Sequence, residues 1–321
     1  MLDRKPSSVR IGLDLDPTQA SWLEMATVVR MADQLGYDSL WTWDHLYGTD
    51  DPRQSILEGW TTIAAWAGMT SKPTVGLLVG ANTFRNPGLV AKSAVTVDHI
   101  SRGRCVLGLG AGWRPREHHD HGIEFGTGFG DRLSWLEESV LAITLLLRGD
   151  TVTTPPGGHY AFDGLRHEPL PWDGPGQLPI LIGGGGEQRT LPIAARFASI
   201  WHHRGPVEYL AHKRDVLFRA CEAIGRDPTD IELAFDPHVI IRDEPADALA
   251  AYERSLLLHH QGPGDPPDPG EHWFGPPDAI VERWRPYLAL GFRHLIVDLP
   301  TPYDEETVAR MPEVRSLAAG T

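Results

Sequence analysis

Short apolar runs alternate with longer segments of helical period from one end of this 321-residue chain to the other. The strand candidates are VRIGLDL (9–15), SLWTW (39–43), TVGLLVG (74–80), RCVLGLG (104–110), PILIGG (179–184), SIWHH (199–203), IELAFDPHVII (231–241) and HLIVDL (294–299). Many are apolar on both faces, as expected of parallel strands buried inside a shell of helices. The segments between them have helix ends. Segment 18–36 runs from Thr18 to Gly36, a residue suited to a left-handed helix terminus. Segment 87–101 opens on Pro87, and segment 276–291 opens on Pro276 and Pro277 and stops at Gly291. Segment 131–148 starts at Asp131 and carries Leu133, Leu136, Val140, Ile143 and Leu147 on one stripe. Eight strand–helix units in alternation predict an α/β fold, a closed (β/α)8 TIM barrel. An open doubly wound sheet would carry a glycine-rich turn straight after its first strand, where this chain has DLDPTQ.

A barrel of this kind needs about 250 residues, so the length leaves room for insertions. Segments 149–178 and 261–275 are rich in proline and glycine. They read as excursions at the C-terminal face of one domain spanning 1–321, the first with a hairpin around 151–162, because long loops in compact domains are more often functional than linking. A net charge of −14 argues against a nucleic-acid surface, which would cluster lysine and arginine. Cys105 and Cys221 stand far apart, in no metal-like spacing, and read as reduced thiols. The N-terminal MLDRKPSSVRIGLDLD has no apolar core, and no run of about 18 apolar residues occurs. The expectation is a cytoplasmic protein with no membrane or nucleic-acid partner.

Barrels bind their ligands where the strands end at their C-terminal edge. Asp44-His45 follow strand 2, Gly80-Ala81-Asn82-Thr83-Phe84-Arg85 follow strand 3, and Gly110-Ala111-Gly112-Trp113 follow strand 4. Four glycines, Gly183 to Gly186, then Glu187, lead from strand 5 into a helix. Bare backbone N–H groups ahead of a helix N-terminus make a phosphate site. With the glycines of 108–112 they suggest one floor for a flat ring and its phosphate tail. His45 is the candidate for proton transfer, imidazole being the side chain best suited to it near neutral pH. Trp43, Trp113 and His118 are the candidate walls of a substrate pocket. The string EHHDHG (117–122) invites a metal reading. It is set aside because metal-dependent barrel hydrolases place a His-x-His pair after strand 1, which here ends Asp14-Leu15-Asp16. A glycosidase would want paired carboxylates at strands 4 and 7, and strand 4 ends in glycines and Trp113.

With these positions collected, the chain resembles the luciferase-like flavin- or deazaflavin-dependent oxidoreductases over nearly its whole length. The strings that carry the resemblance are LGYDSLWTWDHL (35–46), the stretch 56–113 ending in GLGAGW, EHHDHGIEF (117–125), LPILIGGGGEQRTLPIAARFA (178–198) and WFGPPDAIVERWRPYLALGFRHLIVDLP (273–300). The Asp-His after strand 2, GLGAGW…EH and the GGGG loop resemble most the branch that uses coenzyme F420. The resemblance implies a barrel, often dimeric, with F420 across the strand ends. Asp44 would hydrogen-bond the deazaflavin, Ala111 and Gly112 would line the ring, and Gly183 to Gly186 with Glu187 would receive the phosphate. It also implies a backbone bulge with a cis peptide between Leu78 and Val79, so that Leu78, Val79, Gly80 and Ala81 support the ring.

Two departures stand out. The sugar-phosphate dehydrogenases of that branch carry a glutamate where this chain has Trp113, and a threonine where it has Ala111. The implied activity is therefore hydride transfer between F420 and a small, less polar organic substrate. An FMN-dependent monooxygenase using reduced flavin and dioxygen shares the fold and stays open beside it. A phosphate-ligand-binding protein without catalysis is disfavoured by Asp44 and His45.

Overall fold

The first helix begins where the chain supplies a cap. Ser21 accepts from the Glu24 N–H while Glu24 reaches back to the Ser21 N–H, so the helix runs Trp22–Leu35, later than the predicted start at Thr18. Gly36 closes it at φ 77°, a conformation that costs glycine nothing. Asn86 caps the helix Pro87–Ser101, with Pro87 in the first turn as predicted. The helix predicted from Asp131 starts slightly earlier, spanning Phe129–Arg148.

The computed structural model describes residues 8–48, 51–258, 268 and 270–320. Eight parallel strands form the barrel: β1 Arg10–Leu15, β2 Ser39–Thr42, β3 Thr74–Leu77, β4 Cys105–Gly110, β5 Ile180–Gly183, β6 Ile200–His202, β7 Glu232–Phe235 and β8 Phe292–Leu299. Each pairs with the next, and β8 closes on β1 with Arg10 opposite His294 and Asp14 opposite Asp298. Helices pack outside, and most of the apolar core lies between them and the strands. Among the described residues no helix is long and apolar enough to cross a membrane.

The barrel interior is built in layers. A separate apolar cluster of Trp41, Val106, Leu181, Ile200, Ala234 and Ile296 fills the middle. Strand side chains alternate, so residues two positions back face the same interior from below. There Arg10 Nη1 binds Glu232 at 2.8 Å, His294 Nδ1 lies 2.7 Å from the same carboxylate, and His294 Nε2 meets Ser39 Oγ at 2.7 Å. Residues two positions on form the top layer, with Asp14, Trp43, His202, Asp236 and Asp298 around it. The middle layer fits only because glycines stand where a side chain would collide with a ring or with backbone. A Cβ on Gly76 would sit 2.6 Å from Trp41, and one on Gly108 would sit 1.9 Å from the Leu77 carbonyl oxygen.

Two predicted strands are divided. Segment 74–80 stops at Leu77, and Gly80–Ala81 resumes pairing alongside Leu109 and Gly110 of β4. The Leu78–Val79 peptide between them is cis, as the resemblance implied. Segment 231–241 breaks at Asp236-Pro237, because proline has no N–H to continue a ladder. Its second half, His238–Ile241, leaves the barrel and pairs with His272–Gly275. The excursion 149–178 forms an antiparallel contact between Val152 and Leu165, and Asn82 Nδ2 donates to Tyr160 OH at its tip. Its return leg follows the helix Pro87–Ser101, where His99 Nε2 meets the Leu170 carbonyl and the Trp172 N–H donates to Asp98. Of the other predicted excursion, residues 261–267 and 269 lie outside the described residues.

The packing predicts a contrast between two glycine-to-alanine changes. Gly108→Ala should destabilise by at least about 1–3 kcal/mol, the usual range for overpacking, since backbone stands in its way. Gly130→Ala, in a helix with nothing within 4 Å of the new methyl, should be neutral or slightly stabilising. Thermal unfolding of the two variants checks this.

Candidate active site

Most of the positions predicted from strand ends meet at one cleft of about 300 Å³ at the C-terminal end of the barrel. Its lining includes Trp43, Asp44, His45, Leu78, Val79, Gly80, Ala81, Gly112, Trp113 and His118, all expected from the sequence. It also includes Asp14, Arg204, Asp236 and Glu117, which were not.

His45 is held rather than loose. Its Nδ1 lies 2.9 Å from Glu117 Oε2, and Glu117 Oε1 accepts the Leu46 N–H at 2.9 Å. Arg114 Nη1 stands 3.4 Å from the same oxygen. Glu117 is only 1% exposed. Burial alone would raise its carboxyl, but the bonds from His45 and Leu46 and the Arg114 charge hold it below the usual range. An ionised Glu117 fixes the proton on His45 Nδ1 and leaves Nε2 as the nitrogen available to a bound molecule. Trp43 and Trp113 meet the imidazole edge-on, with ring centroids 6.0 and 5.7 Å away. Trp113 is 63% exposed, at the rim.

Glu117 opens the EHHDHG string, and its chemistry was masked there by the histidines. The structure disperses those histidines. His118 lines the cleft but spends both ring nitrogens, Nδ1 on the Arg114 carbonyl and Nε2 on Thr83 Oγ1, each at 2.7 Å. His119 pairs with Asp120 at the surface, and His121 Nδ1 bonds the Glu117 carbonyl. His118 is thus a wall that ties the Pro115–Asp120 helix to Thr83, with no nitrogen left for substrate.

Asp44 acts first on the protein itself. Arg85 grips it through Nη1 at 2.7 Å and Nη2 at 2.9 Å, and the Ala81 N–H donates to Oδ2 at 2.9 Å. Burial pushes its carboxyl up, opposed by Arg85. The residue predicted to face a cofactor therefore anchors the Leu78–Ala81 bulge. The glycines of β4 and β5 serve the same bulge. A Cβ on Gly110 or Gly183 would lie 2.7 or 2.9 Å from the Val79 methyls, so the room these glycines leave is filled by Val79. Ala111 turns toward the outer core instead of lining the cleft.

The loop Gly183–Gly186 lies beyond the cleft lining. The Trp201 indole donates to the Gly184 carbonyl at 2.9 Å, and a side chain at Gly185 would strike His203 at 2.3 Å. The N–H groups of Gly185 and Gly186 donate to no backbone acceptor among the described residues, ahead of the helix Thr190–Phe197. Glu187, predicted at the cofactor, is turned to Lys213 at 2.7 Å and His212 at 2.9 Å.

The chain belongs to the luciferase-like monooxygenase family, whose profile matches residues 7–295. It is 27% identical to the F420-dependent hydroxymycolic acid dehydrogenase of Mycobacterium tuberculosis over 83% of this chain and 72% of that one. It is 27% identical to the F420-dependent glucose-6-phosphate dehydrogenase of Nakamurella multipartita over 92% of each. In fold it is similar to an F420-dependent secondary alcohol dehydrogenase bound to an F420–acetone adduct, at TM-score 0.81, 17% identity, and 97% and 99% coverage. It is also similar to the oxygenating constituent of 3,6-diketocamphane monooxygenase from Pseudomonas putida with FMN, at TM-score 0.73, 18% identity and 97% coverage of each.

Two histidines behind the site set a pH dependence. Burial lowers His203 and His238 to about 4 each. A histidine depressed in the folded state contributes stability above its unfolded value of about 6.5, and that stability is lost as pH falls toward the folded value. The unfolding temperature should therefore fall between about pH 6.5 and 4. His238→Gln, which cannot take up that proton, should show a shallower fall in the same melting series.

Proposed function

We propose that this protein is an F420-dependent oxidoreductase that moves a hydride between the deazaflavin and a small organic substrate, with His45 as the proton-transfer group. The observation that carries the reading is the Glu117–His45 pair, a buried carboxylate that fixes one imidazole nitrogen and offers the other to the cleft. The relatives named above, both F420-dependent dehydrogenases, support the choice of cofactor.

The residues present fit such a group on two counts. The bulge Leu78–Ala81, braced by Asp44 and by the glycines around Val79, offers a stiff backbone surface at the cleft. The N–H groups of Gly185 and Gly186, ahead of a helix, suit a phosphate. Leu78, Val79, Gly80, Ala81 and Gly112 would hold the ring and Gly183 to Gly186 the phosphate. The chemistry such a group supplies when bound is hydride transfer at the deazaflavin C5. His45 Nε2 takes or returns the proton that accompanies the hydride, and the Glu117 charge stabilises the imidazolium form while it lasts. Trp43 and Trp113 flank the imidazole.

Titration of the purified protein with F420 should quench its fluorescence at micromolar concentration or below, with FMN binding more weakly. A protein that purifies yellow with tight FMN and no F420 affinity would reverse the cofactor assignment in favour of the flavin monooxygenase reading. His45→Ala and His45→Gln should lower turnover by about a hundredfold or more while leaving cofactor affinity nearly unchanged. An equal loss of both would reduce His45 to a pocket wall. Glu117→Gln should slow turnover less than His45→Ala, shift the pH profile, and leave the KM for cofactor in place.

A further inference from the structure

The top layer of the barrel holds a carboxyl, Asp14, that the reading above does not use and that no arginine among the described residues takes up in an ion pair. Asp14 ends the inward row of β1, lines the cleft, and is 2% exposed. Its Oδ2 accepts from Trp43 Nε1 at 2.9 Å, and its Oδ1 has no hydrogen-bond partner among the described residues. Trp43 stands between Asp14 and His45, bonded to the first and edge-on to the second.

The charges around this oxygen are already matched. Arg204 is shared between Asp236 and Asp298, and His202 Nε2 meets Asp236 at 2.9 Å. The other guanidinium of the lining, Arg114, stands against Glu117. Arg85, behind the wall, is gripped by Asp44 and Glu58. An anionic substrate entering here would meet arginines already paired and a carboxyl at the floor.

We propose that Asp14 is the substrate-recognition residue of the cleft and selects an uncharged molecule through an alcohol or carbonyl oxygen, against phosphorylated and carboxylated ones. This rests on the oxidoreductase reading above, which leaves the substrate open. Burial, together with the neighbouring Asp298 and Asp236, raises the Asp14 carboxyl well above the usual range, which favours its protonated form. A protonated carboxyl can donate from one oxygen while the other accepts from Trp43. The complement of such a donor is a neutral oxygen. A substrate reaching both Asp14 and His45 would lie across the Trp43 indole, with its reacting carbon set by two fixed polar points.

The test is calorimetric titration of F420-loaded protein with cyclohexanol and cyclohexanone as uncharged probes, glucose 6-phosphate and lactate as anions, and cyclohexylamine as a cation. The uncharged probes should bind at least about tenfold more tightly than the charged ones, the scale of one hydrogen bond. Asp14→Ala should weaken them by about the same factor, and Asp14→Asn, a neutral donor of the same shape, should recover most of the loss. Both variants should melt near wild type and keep their F420 affinity. Equal binding of the anions, unchanged cyclohexanol affinity in Asp14→Ala, or no binding of either uncharged probe would overturn the proposal. So would cyclohexylamine binding tightest with Asp14→Asn as poor as Asp14→Ala, which would mark an ionised Asp14 and a cationic substrate. Failure of wild type to bind F420 is a separate result and removes the functional reading alone. Infrared difference spectra of the cofactor-free protein then decide Asp14. A protonated-carboxyl band that is lost in Asp14→Asn and shifted by cyclohexanol supports the proposal, and its absence refutes it.

Discussion

A closed barrel of eight strands has room inside for one layer of side chains at a time, and every other feature of this molecule follows from how those layers are filled. The middle layer is apolar and pins its largest ring, Trp41, against Gly76. Below it, Arg10, Glu232, His294 and Ser39 form a paired polar plug. Above it the layer must be polar enough to meet a ligand and dry enough to stay packed. The chain solves this by pairing. Asp236 takes Arg204 and His202, Asp298 takes Arg204, and Asp14 takes the Trp43 indole. Isolated charges in such a place would be expelled or neutralised.

Two buried carboxylates beside the cleft divide the labour differently. Asp44 spends both oxygens on Arg85 and a backbone N–H, and its product is the shape of the Leu78–Ala81 wall. Glu117 spends its oxygens on an imidazole and the next backbone N–H, and its product is the orientation and tautomer of His45. The two acids stand in similar burial and differ only in partners. That difference separates a group that builds the wall of the site from one that orients the imidazole proposed to move a proton.

The barrel was legible in the sequence because its strands are short, apolar on both faces and regularly spaced, and the helix ends carry Pro87, Gly36 and Gly291 where helices stop and start. Where the reading failed, a local rule was outweighed by a tertiary one. The run 231–241 reads as one strand by composition, yet Pro237 breaks the ladder and Asp236 turns to Arg204. The helical segment that runs from Thr18 in the sequence starts only where Ser21 and Glu24 cap it. The glycines of 108–112 and 183 suggest a floor for a ring, and part of the space that Gly110 and Gly183 leave is filled by Val79. Glu117 lay hidden because a carboxylate 72 residues away from His45 in sequence carries no periodic signal. Only the fold brings residue 117 to residue 45. Asp14 and Asp298 end the inward rows of β1 and β8, and their meeting depends on the closure of the barrel, which no local pattern carries.

That closure gives one layer two carboxyls with opposite behaviour. Asp236 and Asp14 are both buried, and burial alone would raise both. The Arg204 guanidinium and His202 overcome it for Asp236 and hold that carboxyl far below the usual range. Asp14 receives little of that compensation, and the negative charges of Asp298 and Asp236 add to the burial, so its carboxyl rises. Neighbouring acids whose environments push them apart favour an anion at one and a proton at the other. Here the anion is consumed in holding Arg204, while Asp14, buried in the cleft lining, keeps one oxygen without a hydrogen-bond partner among the described residues. A floor that presents a hydrogen instead of a charge admits a neutral oxygen without a counterion. The barrel's own charge pairing thereby sets which molecules can lie over Trp43 within reach of His45.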